Sequence, residues 1–114
     1  MNLFVDDQRE LEVKDWQVVR TITEAIRFID EQCPEVVSLD HDIAGRKDDD
    51  FTAVARFITA LPEAFRPKLV VIHTGSPVGA QRLHDILSGK VEIEMHSFDT
   101  ERLYRQLSGE ETAA

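Results

Sequence analysis

Side chains that can do chemistry follow four short apolar runs of this 114-residue chain, at residues 3–5, 36–39, 69–72 and 91–95. They are Asp6 and Asp7, then Asp40, His41 and Asp42, then His73 and Thr74, and finally His96 and Ser97. If the four runs are parallel strands, these side chains meet at one edge of one sheet. That edge is where open α/β folds place their ligand and active sites.

The aspartates give the clearest chemical signal. Carboxylates gathered at one point repel one another and usually need a cation between them. Oxygen-rich sites favour Mg²⁺ and leave room for phosphate oxygens as further ligands. We therefore predict a Mg²⁺ or Mn²⁺ site that includes Asp6, Asp7, Asp40 and Asp42. The alternative is that each aspartate caps a loop and is solvated separately.

Two histidines lie beside these acids. His41 follows Asp40 directly, and His73 ends a neighbouring strand, so either could serve as a general acid or base. Either ring could instead ligate a softer metal such as Mn²⁺ or Zn²⁺. A structural role, with hydrogen bonds to loop backbone, is the third possibility for both residues. With Asp40, the two histidines form the predicted catalytic group.

A phosphate cradle is predicted where the third of these runs turns into a helix. Thr74, Gly75, Ser76 and Gly79 bring hydroxyl groups, close backbone approach and a helix N-terminus to the same edge. Arg9 could clamp the phosphate, or it could simply pair with one of the aspartates. The alternative for the whole segment is an ordinary strand-to-helix turn, since Ser-Pro is also a good helix start.

The elements that must position these residues alternate along the chain as in a parallel sheet covered by helices. Thr21 and Glu24 have the spacing of a capping box, and Pro34 ends the helix that they start. Asp99 is predicted to cap the last helix, with Phe98 and Leu103 as a hydrophobic staple. Residues 8–15 are too few for a helical crossover. The pattern predicts a mostly parallel five-stranded α/β sheet whose first crossover is abbreviated.

Length and charge limit the function classes. The chain is predicted to form one domain over residues 1–107, followed by a flexible tail at 108–114. A net charge of −9 without a basic run argues against an extended nucleic-acid surface. The sequence shows neither a signal peptide nor an apolar stretch long enough for a membrane, so we expect a cytoplasmic protein. Cys33, the one cysteine, is expected to be buried.

The acids after the first run, Asp40 and the hydroxyl of Thr74 together resemble a response-regulator receiver domain. The resemblance implies a three-layer, flavodoxin-like fold in which Asp6 and Asp7 help Asp40 to hold Mg²⁺. It also implies that Asp40 accepts a phosphoryl group and that Thr74 contacts it. Receivers carry a lysine after the fifth strand, whereas this chain has Met95, His96 and Ser97 there.

A closer resemblance is to the cyclic-phosphate processing receiver domains, over residues 2–107. It is carried by the segments Leu3-Phe4-Val5-Asp6-Asp7-Gln8-Arg9, Ser38-Leu39-Asp40-His41-Asp42-Ile43 and Ile72-His73-Thr74-Gly75-Ser76-Pro77-Val78-Gly79. Its implied site residues are Asp6, Asp7, Arg9, Asp40, His41, Asp42 and His73. The family motif in the third segment is His-Ser-x-Asn-Pro-x-Gly, so Thr74 and Ser76 depart from it.

The function expected from these features is a metal-dependent phosphoesterase. Its substrate would be a phosphate-bearing small molecule or an RNA end that carries a cyclic phosphate. One alternative is a non-catalytic signalling or interaction module on the receiver scaffold, with Asp40 phosphorylated or not. A metal-dependent regulator of phage or toxin type is a third alternative. The sequence leaves the oligomeric state open.

Overall fold

The computed structural model describes residues 1–42, 50–96 and 102–108. Its strands form one parallel sheet in the order β2-β1-β3-β4-β5. The strands are β1 (Asn2–Val5), β2 (Trp16–Val19), β3 (Val36–Leu39), β4 (Leu69–Ile72) and β5 (Glu92–Met95). The helices are α1 (Ile22–Gln32), α2 (Thr52–Ala60), α3 (Pro77–Leu87) and α4 (Arg102–Leu107), with a 3-10 turn at Glu63–Phe65. The predicted five-stranded α/β sheet is confirmed, and its strand order is the flavodoxin-like one.

One face of the sheet packs against α1, α2 and α3. Alternate residues of the central strands point to this side, including Val5, Leu39 and Ile72, and all three are fully buried or nearly so. The helices contribute Ile29, Ile58 and Leu83 among others to the same apolar cluster. Most of the hydrophobic burial of the fold lies here, which makes this face a rigid base for the strand ends.

The other face has a thinner cover, made of α4 and the connection from β1 to β2. Leu11 and Val13 of that connection pack with Trp16 and with Tyr104 of α4. Residues 6–15 contain no helix or strand, so the predicted abbreviated crossover is confirmed. Arg20 holds the connection in place, since its guanidinium donates to the backbone oxygens of Asp6 at 3.2 Å and Arg9 at 2.6 Å.

The helix starts agree with the capping signals in the sequence. Thr21 accepts a hydrogen bond from the Glu24 backbone, and Ser76 accepts one from the Gly79 backbone ahead of Pro77. The expectation that Cys33 is buried is wrong: its side chain is exposed. The helix ends at Gln32, and Cys33 takes a left-handed conformation with φ 46°, which turns its side chain off the apolar stripe.

Several expectations fall on parts of the chain outside the described residues. These are the Asp99 cap, its staple partner Phe98, Ser97 at the sheet edge, and the tail beyond Ser108. The division into a domain and a tail therefore stays a prediction. Among the described residues, every helix is too short or too polar to cross a bilayer.

Candidate functional site

The carboxyl edge of the sheet brings Asp6, Asp40 and His73 together. One ligand atom from each of these residues lies within 4.8 Å of the others. They follow β1, β3 and β4, which are neighbours in the sheet, and register places them on the α4 side. The juxtaposition predicted from the strand order is thus present in the structure.

Asp6 is the most tightly held of the three residues. Its Oδ1 accepts hydrogen bonds from the backbone N–H groups of Gln8 and Arg9, both at 2.9 Å. Its Oδ2 lies 3.0 Å from His73 Nε2 and 3.8 Å from Arg9 Nε. Burial alone would raise the pKa of Asp6, but the hydrogen bond from His73 and the two backbone bonds lower it below its usual value. Asp6 is therefore ionised and fixed in orientation.

Asp40 is held more loosely. Its Oδ1 accepts from the His41 backbone N–H at 2.8 Å, and the Thr74 hydroxyl donates to the same carboxylate. Burial raises the pKa of Asp40, and the negative charge of Asp6 raises it further. A cation between the two carboxylates would relieve this repulsion, and the carboxylate oxygens are the donors that Mg²⁺ and Mn²⁺ prefer. The residues present therefore fit such an ion.

A cleft of about 320 Å³ opens in front of this pair. Its lining includes eight of the predicted site residues, together with Gln8. The eight are Asp6, Asp7, Arg9, Asp40, Asp42, Thr74, Gly75 and Ser76. Among the described residues, Asp6, Asp40 and His73 form the one cluster with metal-ligand spacing, so Asp7 and Asp42 line the cleft without joining that cluster.

His41 lies away from the cleft. Its ring packs against Gly79 of α3, where an added Cβ would come within 2.5 Å of His41 Cγ. Nδ1 lies 2.6 Å from Asp42 Oδ1, and Nε2 lies 3.4 Å from Asp50 Oδ2. His41 thus contacts the cleft through Asp42, and Gly79 serves the packing of that ring instead of lining the cradle. The phosphate-binding role predicted for Gly79 has no contact here to support it.

His73 is fully buried behind Asp6. Its ring stacks on Phe4 with centroids 4.4 Å apart, and its Nδ1 lies 2.6 Å from Ser38 Oγ. Ser38 Oγ lies 3.0 Å from the hydroxyl of Tyr104. The ring reaches the cleft only through Asp6, so direct contact with a substrate is not available to it in this arrangement.

Ser38 and Tyr104 did not emerge from the sequence as site residues. Ser38 is the one polar residue in a strand that otherwise reads Val-Val-x-Leu, and it is completely buried. Tyr104 is the only tyrosine of the chain. A lone hydroxyl within an apolar central strand was the available signal, because a buried polar group needs a hydrogen-bond partner.

Comparison with known proteins bears on the family and the fold. The family model of the cyclic-phosphate processing receiver domain matches residues 1–89. Among solved structures, the signal receiver domain of a Vibrio parahaemolyticus protein described as a Luxo repressor is similar, with a TM-score of 0.63 and 24% identity. That match covers 96% of this chain and 87% of the other. A search of curated proteins found no significant match. The chain belongs to the family of cyclic-phosphate processing receiver domains.

Proposed function

We propose that this protein is a metal-dependent phosphoesterase that acts on cyclic phosphate ends of RNA or of nucleotides. The observation that carries the proposal is the cleft itself. The ionised Asp6 and the more basic Asp40 adjoin the turn formed by Thr74, Gly75 and Ser76. A pocket that combines cation ligands with a helix start suits a phosphate group.

Each part of the cleft has a task in this proposal. Asp6 and Asp40 hold Mg²⁺ or Mn²⁺, which when bound polarises the phosphate and lowers the pKa of a coordinated water. Arg9 and the backbone of the 74–76 turn bind the phosphate oxygens. Water adds to phosphorus and gives up one proton, one ribose P–O bond of the ring breaks, and the released ribose oxygen takes up a proton in its place.

Groups that reach the cleft pass the proton from the water to the ribose oxygen. Asp42 lines the cleft, and the contact between Asp42 Oδ1 and His41 Nδ1 at 2.6 Å orients that carboxylate. His41 would then act in acid–base chemistry through Asp42, whereas His73 would hold Asp6 in place. The general acid–base role of His41 thus remains a prediction, in this indirect form, and the one predicted for His73 has no contact with the cleft to support it.

The test is an end-group assay on a short RNA with a 2′,3′-cyclic phosphate, with Mg²⁺ or Mn²⁺ and without metal. We expect metal-dependent ring opening that Asp40→Asn abolishes. Asp85→Asn is the matched control, since Asp85 lies on an exposed part of α3 outside the cleft and pairs with Gln81. An Asp40→Asn protein that is folded and still opens the ring at the normal rate would refute the proposal.

A second candidate function is a receiver-like signalling module that is phosphorylated at Asp40. The contact of the Thr74 hydroxyl with Asp40, beside Asp6, favours it, since a phosphoryl acceptor also needs a hydroxyl and a cation nearby. Treatment with acetyl phosphate and Mg²⁺, followed by intact-mass measurement, tests this alternative. One added phosphoryl group that Asp40→Asn prevents would support it, and an unchanged mass would count against it.

A further inference from the structure

A buried chain of hydrogen-bonding side chains runs from the cleft to the last helix. It joins Asp6 to His73, His73 to Ser38, and Ser38 to Tyr104, with heavy-atom distances of 3.0, 2.6 and 3.0 Å. Its members come from the ends or interiors of β1, β4 and β3 and from α4. All four are at most 2% exposed. Burial of this kind makes each donor and acceptor costly to leave unpaired.

The partners fix the direction in which the chain donates. The Asp6 carboxylate accepts two backbone N–H groups through Oδ1 and faces His73 Nε2 through Oδ2 at 3.0 Å, so Nε2 is the atom that carries the proton between them. If His73 is neutral, its Nδ1 accepts from the Ser38 hydroxyl, and Ser38 Oγ accepts from Tyr104. Every group is then satisfied.

A tautomer with the proton on Nδ1 satisfies fewer groups. Its Nδ1–H would donate to Ser38 Oγ, so the hydroxyl proton of either Ser38 or Tyr104 would have no acceptor among these side chains. It would also leave Nε2 facing the Asp6 carboxylate, lone pair to lone pair.

We infer that Ser38 and Tyr104 are positioning residues of the acidic cleft, which keep the proton of His73 on Nε2 and so make the ring a fixed donor to Asp6. The consequence concerns the metal. An imidazole that uses Nε2–H to hold Asp6 cannot also ligate through that nitrogen, so the cation is held by carboxylate oxygens. The cleft then lacks the imidazole nitrogen that suits Zn²⁺ and offers the carboxylate oxygens that suit Mg²⁺ and Mn²⁺. The conclusion about the cation rests on the proposed function. The direction in which the four side chains donate their hydrogen bonds does not rest on it.

The first test is nitrogen NMR of the four histidine rings in the protein labelled with ¹⁵N-histidine, before and after addition of Mg²⁺. We expect Nε2 of His73 to carry a proton, and to keep it when Mg²⁺ is added. A His73→Gln variant assigns the signal by its loss. A neutral ring with its proton on Nδ1, or loss of the Nε2 proton upon Mg²⁺ addition, would overturn the inference.

The second test measures Mg²⁺ affinity by calorimetry in variants that break the chain. We expect Ser38→Ala to weaken binding by about tenfold, the lower end of the effect of removing the partners that orient a metal ligand. Tyr104→Phe should weaken binding in the same direction. Thr59→Ala is the control, because it removes a hydroxyl that bonds only within α2, to the Arg56 carbonyl, and its affinity should be unchanged. Urea unfolding of each variant shows that it is folded.

The His73→Gln variant tests whether His73 acts as a hydrogen-bond donor to Asp6 or as a ligand of the metal. The glutamine amide can still donate to Asp6 but is a much poorer metal ligand than imidazole, so we expect Mg²⁺ affinity close to that of the wild type. Loss of binding in His73→Gln, or unchanged binding in Ser38→Ala, would contradict the inference. If the wild-type protein binds Mg²⁺ but opens no cyclic phosphate, the proposed function fails while this inference stands. If it binds no cation, the conclusion that carboxylate oxygens hold the cation fails together with the proposed function. The NMR spectrum in metal-free buffer still shows whether His73 donates to Asp6 through Nε2.

Discussion

The carboxylates of Asp6 and Asp40 share one cleft at a cost to the stability of the fold. Burial and the charge of Asp6 raise the pKa of Asp40 above its ordinary value of 3.8, which means that the ionised form is less favourable in the folded protein than in the unfolded chain. We therefore expect Asp40→Asn to raise the thermal midpoint at neutral pH by about 2–5 °C. Differential scanning calorimetry in metal-free buffer measures this change.

The sign of the pH dependence follows from the direction of that shift. Above the folded-state pKa, the ionised Asp40 destabilises the wild type, and below the ordinary value of 3.8 both states are protonated, so the penalty disappears. The gain of Asp40→Asn should hence shrink as the pH falls toward 4. Added Mg²⁺ should stabilise the wild type and leave the variant unchanged. A variant that is less stable than the wild type at neutral pH would contradict this account.

Tyr104 gives a second titration, at alkaline pH. Burial raises the pKa of its hydroxyl to about 12 from the ordinary value of 10, although the hydrogen bond with Ser38 works the other way. The folded protein thus keeps a neutral Tyr104 where the unfolded chain ionises. Stability from this group is complete below pH 10 and is lost as the pH rises through 12.

We expect the wild type to lose about 2–3 kcal/mol more than Tyr104→Phe between these two pH values. Because Tyr104 is the only tyrosine, the ultraviolet absorbance of tyrosinate reports its ionisation directly. Urea unfolding at each pH gives the free energies. The urea-unfolded chain is the reference for the absorbance titration, and a native titration that coincides with it would show that Tyr104 is not buried in solution.

The sequence allowed part of the site to be predicted, because side chains that follow parallel strands on the same face must meet. Asp6, Asp40 and His73 satisfy that rule. His41 does not, because side chains alternate across a sheet and the residue after Asp40 points to the opposite face, toward Gly79. Ser38 and Tyr104 are 66 positions apart. Their contact depends on how α4 docks, which strand order alone does not determine.

Helix α3 shows how one glycine sets the distance between two elements. Ala is a better helix former than Gly by about 1 kcal/mol, so Gly79→Ala would stabilise an isolated helix. In the protein, the new Cβ would lie 2.5–2.8 Å from three atoms of the His41 side chain, two of them in the ring. That ring is confined by Asp42 and Asp50. We expect Gly79→Ala to destabilise the fold by about 1–3 kcal/mol in urea unfolding.

A double substitution separates the clash from other causes. The His41→Gly variant removes both the ring and the Cβ, which would lie 2.8 Å from the new methyl group, so in that background Gly79→Ala should be neutral or stabilising. The difference between the two backgrounds measures the contact between the His41 side chain and the helix. Equal costs in both backgrounds would show that close packing on His41 is not the reason for glycine at this position.

The limits of the helices were predictable where local chemistry determines them. Thr21, Ser76 and Pro77 act at the starts of α1 and α3 through contacts within three residues, which a sequence pattern contains in full. Cys33 shows the limit of the same reasoning. The apolar spacing extended to it, but the backbone leaves the helix one residue earlier. An apolar stripe indicates which residues face the core only while the helical geometry continues.

At the scale of the whole molecule, the two faces of the sheet are covered unequally. Three helices pack on one face, whereas α4 and residues 8–15 cover the other. Trp16 connects these two parts, since its Nε1–H donates to the Tyr104 carbonyl at 3.0 Å and its ring meets the Tyr104 ring edge-on at 5.0 Å. The face that carries Asp6, Asp40 and His73 therefore depends on a six-residue helix for its cover.

A chain that ends before Arg102 should lose this cover. Removal of Tyr104 alone forfeits about 3–5 kcal/mol of packing, a large share of the roughly 5–15 kcal/mol that stabilises a small domain. We expect a much lower urea midpoint and a red-shifted emission from Trp16, the single tryptophan, which is 8% exposed in the intact fold.

A chain that ends after Ser108 is the control, since it keeps every described contact of α4. Because the buried hydrogen-bond chain ends on Tyr104, the shorter protein should also bind Mg²⁺ more weakly under conditions where it remains folded. A blue emission and an unchanged midpoint in the shorter protein would mean that residues 8–15 suffice to cover this face.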